Sequence, residues 1–109
     1  MKRSERRERE NLVRIFYTII QTIQTNSPSL DFIPIHFGET LVITVIQIAS
    51  TETPLPVYNV GVMIGRDIVG EASITVNKWG SRYEINKFKM EGGLKRIREI
   101  KKIILNEAS

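Results

Sequence analysis

The chain of 109 residues has no cysteine, which excludes disulfides, thiolate metal sites and cysteine nucleophiles. His36 is the only histidine, so a metal site built from two histidines of one chain is also excluded. Thr and Gln interrupt the longest apolar stretches, which are too short to span a bilayer. The first residues follow neither a secretory nor a transit pattern. We therefore expect a cytoplasmic protein that has no cofactor, no metal and no membrane partner.

Positive charge is missing from the middle of the chain, although the whole sequence carries a net charge of +4. Residues 1–14 hold six cations and three acids, residues 15–65 hold no Lys or Arg, and residues 66–109 hold ten cations and six acids. Clustered Lys and Arg bind polyanions, because they release counterions from a phosphate backbone. The two basic ends therefore favour DNA or RNA as a partner.

The amino-terminal part of the chain is predicted to be a helix. Residues 4–25 have apolar side chains at helical spacing, and Ser4 is a suitable N-cap. Residues 1–10 then form the charged start of this helix rather than a separate arm. Its acids precede cations by four residues, the favourable order for ion pairs, in Glu5 with Arg9 and in Glu10 with Arg14.

The rest of the chain reads as strands followed by a second helix. Residues 39–50 are apolar on both faces, which predicts an inner strand covered on both sides. The residues after Gly92 and Gly93 have an amphipathic helical repeat. Gly61, Gly65 and Gly70 are expected to mark bends, bulges or close approaches. We predict one α+β domain over 1–109, with an N-terminal helix, an antiparallel sheet of four to five strands and a C-terminal amphipathic helix packed on the sheet.

One hairpin register follows from the sequence. If Trp79 and Gly80 form a two-residue turn, apolar side chains pair with apolar ones and polar with polar. A slip of one residue would turn each apolar set to the wrong face. The predicted pairs are Val76 with Tyr83, Thr75 with Glu84, and Ile74 with Ile85.

Catalytic motifs are absent from the sequence. His36 has no evident partner residue, and no serine lies in a nucleophile elbow. Asp67, Glu71, Glu84 and Lys87 suggest a metal-dependent nuclease, but Glu84 and Lys87 are three apart and should point to opposite faces of a strand. We therefore expect a protein that is not an enzyme, and keep the nuclease as a third hypothesis.

The first hypothesis is a small basic protein that binds DNA or RNA through phosphate contacts and is not sequence-specific. Trp79, at a basic hairpin tip, offers a surface on which an unpaired base can stack. The predicted interface comprises Lys2, Arg3, Arg6 and Arg7; Lys78, Trp79 and Arg82; Lys87 and Lys89; and Lys95, Arg98 and Lys102.

The second hypothesis is a protein that acts through protein–protein interaction or as a structural subunit of a larger assembly. The first helix has an uncharged polar flank, which suits burial against another subunit and favours a homodimer through this helix. The 17 isoleucines and the dense charge are typical of proteins from hyperthermophilic organisms. The flank consists of Thr18, Gln21, Thr22 and Gln24.

Overall fold

A computed structural model describes residues 3–26, 32–48, 56–76 and 82–108. It has the predicted architecture, an N-terminal helix, a five-stranded antiparallel sheet and a C-terminal helix. The strands follow one another in chain order across the sheet, so each hairpin joins neighbouring strands. The elements are α1 (Arg3–Asn26), β1 (Phe32–Phe37), β2 (Leu41–Ile48), β3 (Val57–Ile64), β4 (Asp67–Val76), β5 (Tyr83–Met90) and α2 (Gly93–Ala108).

Both helices bury one apolar stripe against the same face of the sheet. In α1 this stripe includes Leu12 and Phe16, and in α2 it includes Ile100, all of them fully or almost fully buried. Ser4 lies within α1, so its predicted role as N-cap is wrong. No helix among the described residues is both long and apolar enough to cross a bilayer. The strands contribute to the same core through Leu41, Ile43, Val45, Tyr58, Val60, Val62, Ala72, Ile74 and Val76.

A glycine pair connects the sheet to α2. Gly92 and Gly93 have φ angles of 90° and 58°, in the left-handed region where a side chain would be strained. The chain therefore reverses within two residues after β5, which brings α2 back over the sheet.

The predicted register of the β4–β5 hairpin is confirmed for every pair that the structure describes. Val76 pairs with Tyr83, and the next two pairs of the predicted set follow. Beyond them the register shifts, because Asn86 is an extra residue on β5. This bulge places Glu84 and Lys87 on the same face of the sheet, so the prediction that they point to opposite faces is wrong.

The second strand is covered on one face only, which corrects the prediction for residues 39–50. Leu41 and Ile43 are buried under the helices, whereas Ile46 and Ile48 on the other face are each 39% exposed. Apolar residues on both faces of β2 therefore do not reflect two covering layers. We call the face opposite the helices the open face; it carries Thr44 and Ile46 of β2, Asn59 and Gly61 of β3, and Glu71 and Ser73 of β4.

Candidate nucleic-acid interface

Helix α1 presents a row of arginines on the side turned away from the core. Arg3, Arg7 and Arg14 are exposed, and at 3.6 residues per turn they fall within about 40° of one another around the helix axis. None of the three forms an ion pair with another described residue. Leu12 and Phe16 occupy the opposite side of the helix, so packing of α1 directs the row into solvent.

Helix α2 presents a second row of cations. Lys95, Arg98 and Lys102 are exposed and lie within about 60° of one another, opposite the buried side of the helix. They too form no ion pair within the part of the chain that the structure describes. The buried isoleucines Ile97 and Ile100 fix the rotation of α2, so these three cations face outward together.

An ion pair joins the two helices side by side. The Nζ atom of Lys101 donates a hydrogen bond of 2.6 Å to Oε2 of Glu8, and the two side chains are only 17% and 22% exposed. This bond, helped by the charges of Lys101, Arg98 and Arg7, holds the pKa of the Glu8 carboxyl below its ordinary value. Arg98 therefore lies beside the first turns of α1. The two basic ends of the sequence meet in one layer.

We call the resulting area the helix-pair surface. Two nearby acids do not neutralise it, because each is paired with a cation outside the surface: Arg6 binds Glu10 at 3.3 Å and Arg96 binds Glu99 at 3.6 Å. Arg6 is thus engaged, although the sequence suggested that it is available. The helix-pair surface consists of Arg3, Arg7, Arg14, Lys95, Arg98 and Lys102.

The predicted ion pairs within α1 are wrong, and this changes which arginine is available. Arg9 does not bind Glu5; its guanidinium lies 5.9 Å from the centre of the Phe88 ring, where it covers the edge of the sheet. Arg14 does not bind Glu10, which binds Arg6 instead. The sequence reasoning missed Arg14 because it assigned this residue to an ion pair. Its helical spacing from Arg3 and Arg7 was the signal that could have identified it.

The predicted cations of β5 lie on the opposite side of the molecule. Lys87 and Lys89 are on the open face, where Nζ of Lys87 contacts Oε1 of Glu71 at 2.6 Å. That hydrogen bond, followed by the charges of Lys87 and Lys89, lowers the pKa of Glu71. The sheet separates these lysines from the helix-pair surface, so the predicted interface is divided into two parts. Arg82 is exposed just before β5, and Lys2, Lys78 and Trp79 lie outside the described residues.

The residues considered for catalysis are dispersed. His36 is exposed on the edge strand β1. Asp67, Glu71 and Glu84 do not form a group of three metal ligands, and no such group of His, Asp or Glu occurs within the described ranges. The nuclease hypothesis therefore stays a prediction based on residue types alone.

The uncharged flank of α1 is satisfied largely by its own helix. The hydroxyl groups of Thr18 and Thr22 donate to the carbonyl oxygens of Arg14 and Thr18, at 3.1 and 3.0 Å. Nε2 of Gln21 donates to the hydroxyl of Tyr17 at 3.0 Å, and the Gln24 side chain lies outside the described part. Such bonds allow neutral residues to face solvent, so the flank does not need a second subunit to cover it.

The chain was compared with protein-family models, with curated proteins and with solved structures. None of the three comparisons gave a match.

Proposed function

We propose that this protein binds nucleic acid, DNA or RNA, through phosphate contacts and without catalysis. The observation that carries the proposal is the helix-pair surface, where six cations from the two ends of the sequence face outward without acidic partners among the described residues. Unpaired Lys and Arg on one surface attract a polyanion most strongly, because no internal salt bridge has to break first.

The dimensions of this surface suit a phosphate backbone. At 1.5 Å per residue, the row from Arg3 to Arg14 is about 16 Å long and the row from Lys95 to Lys102 is about 10 Å long. Packed helices have axes about 8–10 Å apart. The two rows therefore span roughly five base pairs of a duplex at 3.4 Å per step. Flexible cations on such an area hold phosphates and do not read base edges, which supports binding without sequence specificity.

Affinity measured across a salt series tests the proposal. With all six cations on phosphates, log K should fall against log salt with a slope near −5 for duplex DNA, about 0.9 for each contact. The test variant is the double substitution Arg98→Gln with Lys102→Gln, which removes two cations of the helix-pair surface. We expect it to lower the magnitude of the slope by about two and to weaken binding to every sequence.

A matched double variant controls for net charge. Arg66→Gln with Lys89→Gln removes the same charge from a turn and from the open face, both exposed. This variant should keep a slope within about one of the original. Equal losses in the two variants, or no binding of the original protein at low salt, would contradict the proposal. Deleting residues 1–10 is a poorer test, because Glu8 and Arg9 contact Lys101 and Phe88.

A further inference from the structure

The open face has a depression at its centre. Gly61, on the middle strand β3, lies at its floor, with Thr44, Asn59 and Ser73 around it, and its volume is about 280 Å³. The side chain that glycine lacks leaves this space empty. Thr44 lies so close to Gly61 that a Cβ atom added at position 61 would lie 2.6 Å from the Thr44 hydroxyl oxygen. The depression is therefore a built-in property of the β2–β3 pairing.

A large apolar side chain projects at the rim of this depression. Ile68 is 68% exposed, the most of any large apolar side chain among the described residues. It pairs across the sheet with Met63, which in turn pairs with Val42, so one apolar row crosses three strands. Water contact with such a row is unfavourable, and burying Ile68 would remove the largest part of it.

We propose that the open face binds the open face of a second copy of this chain, around a two-fold axis that passes between Ile68 and Gly61. A two-fold axis makes contacts reciprocal, so each Ile68 enters the depression of the other copy. A foreign helix or peptide would have to supply its own projecting side chain, whereas a second copy carries both the projection and the depression. Self-association therefore uses both features.

The area of the face is sufficient for this dimer. Five strands spaced about 4.8 Å apart and about eight residues long give a face of roughly 24 × 27 Å. Two such faces bury about 1,300 Å², above the roughly 1,000 Å² that a specific interface needs. Because Gly61 lies on the central strand, a two-fold axis beside it places most of one open face over most of the other.

Charges on the open face are paired or lie near its rim. Lys87 and Glu71 lie beside the depression, and their 2.6 Å contact forms within one copy. Burial of that area encloses a paired cation and carboxylate. Enclosing a single charge without a partner would cost more. Lys89 and Glu84 lie on the edge strand β5, at the rim of the interface, where charged side chains keep part of their contact with solvent.

Sedimentation equilibrium without nucleic acid tests the dimer. As the concentration of the original protein is raised, its weight-average mass should increase from the chain mass of 12.5 kDa toward twice that value. Ile68→Glu places two carboxylates beside the axis and should give the mass of one chain. Leu105→Glu changes a residue of α2 that is 55% exposed and away from the open face, and should leave the dimer intact. A monomeric original protein, or a dimeric Ile68→Glu variant with an unchanged melting curve, would overturn the proposal.

The dimer has a consequence that rests on the proposed function. Sheets stack about 10 Å apart and helices pack about 10 Å from a sheet, so the two helix-pair surfaces would point outward, about 30 Å apart between helix axes. Such a dimer bridges two nucleic-acid segments instead of covering one.

A capture assay tests the bridging. A duplex fixed to beads should retain a second, labelled duplex in the presence of the original protein. Ile68→Glu should still bind the fixed duplex but capture no label. If the original protein does not bind the fixed duplex, the proposed function is refuted. The sedimentation experiment then still tests the dimer independently. Capture of label by a monomeric Ile68→Glu variant would refute the bridging.

Discussion

Replacing Gly61 by alanine should destabilise the protein, although glycine weakens most strands. In an ordinary strand, Gly→Ala stabilises by about 0.7 kcal/mol, because the unfolded chain loses freedom. At position 61 the new Cβ would lie 2.6 Å from Oγ1 of Thr44, while Cβ of Thr44 is 4.0 Å away. The clash therefore involves one rotatable hydroxyl and not the backbone.

The size of the effect follows from moving that hydroxyl. Turning χ1 of Thr44 costs about 1 kcal/mol. It also breaks the 3.5 Å hydrogen bond to the Gly61 carbonyl oxygen, which is long and worth about 0.5 kcal/mol. These two costs are offset in part by the roughly 0.7 kcal/mol that alanine gains over glycine in a strand. Gly61→Ala should therefore lower the free energy of unfolding by about 0.8 kcal/mol.

Removing the hydroxyl should reverse the sign. In a Thr44→Ala background the clash is gone, so Gly61→Ala should raise the free energy of unfolding by about 0.7 kcal/mol. The coupling between the two positions is then about 1.5 kcal/mol, which urea unfolding of the four proteins measures as a double-mutant cycle. Additive effects, or stabilisation by Gly61→Ala in the original protein, would refute the reasoning.

Two further predictions concern α2. Ile100 has 0% exposure, so Ile100→Ala should lower the free energy of unfolding by about 3 kcal/mol. Leu105 is 55% exposed, so Leu105→Ala should lower it by less than about 1 kcal/mol. Urea unfolding measures both values, and similar losses would contradict the packing of this helix. Lys101→Met should lower the melting temperature at pH 7. The pKa of the Glu8 carboxyl is lowered from its ordinary value of 4.5, so the difference in melting temperature should persist above pH 4.5 and shrink as the pH falls below it. A difference in melting temperature that is independent of pH would exclude the ion pair as its cause.

The fold was largely predictable from local patterns. The apolar stripes of both helices follow from a repeat of 3.6 residues, and the pairing of Val76 with Tyr83 follows from alternation around one turn. Both signals act between residues close in the chain. The bulge at Asn86 was not predictable, because its amide donates to Thr75 and Ser73 on the neighbouring strand, at 2.6 and 3.5 Å, and no local pattern marks it.

The candidate interface was only partly predictable. Sequence reasoning identified Arg3, Arg7, Lys95, Arg98 and Lys102, which share the helix-pair surface. It missed Arg14 and placed Lys87 and Lys89 in the same interface, although the sheet separates them from the helices. Helical spacing alone allowed several ion pairs for each arginine. Side-chain packing selected among them.

By itself, the sequence determined that positive charge lies at the two ends of the chain, that each end contains an amphipathic helix, and that the middle forms strands. Only the tertiary structure decided that the two helices lie side by side, with Lys101 bound to Glu8, and that both cover the same face of the sheet. The physical reason is distance along the chain: periodicity arises from neighbouring residues, whereas the partner of a charge and the cover of a sheet depend on segments that only folding brings together.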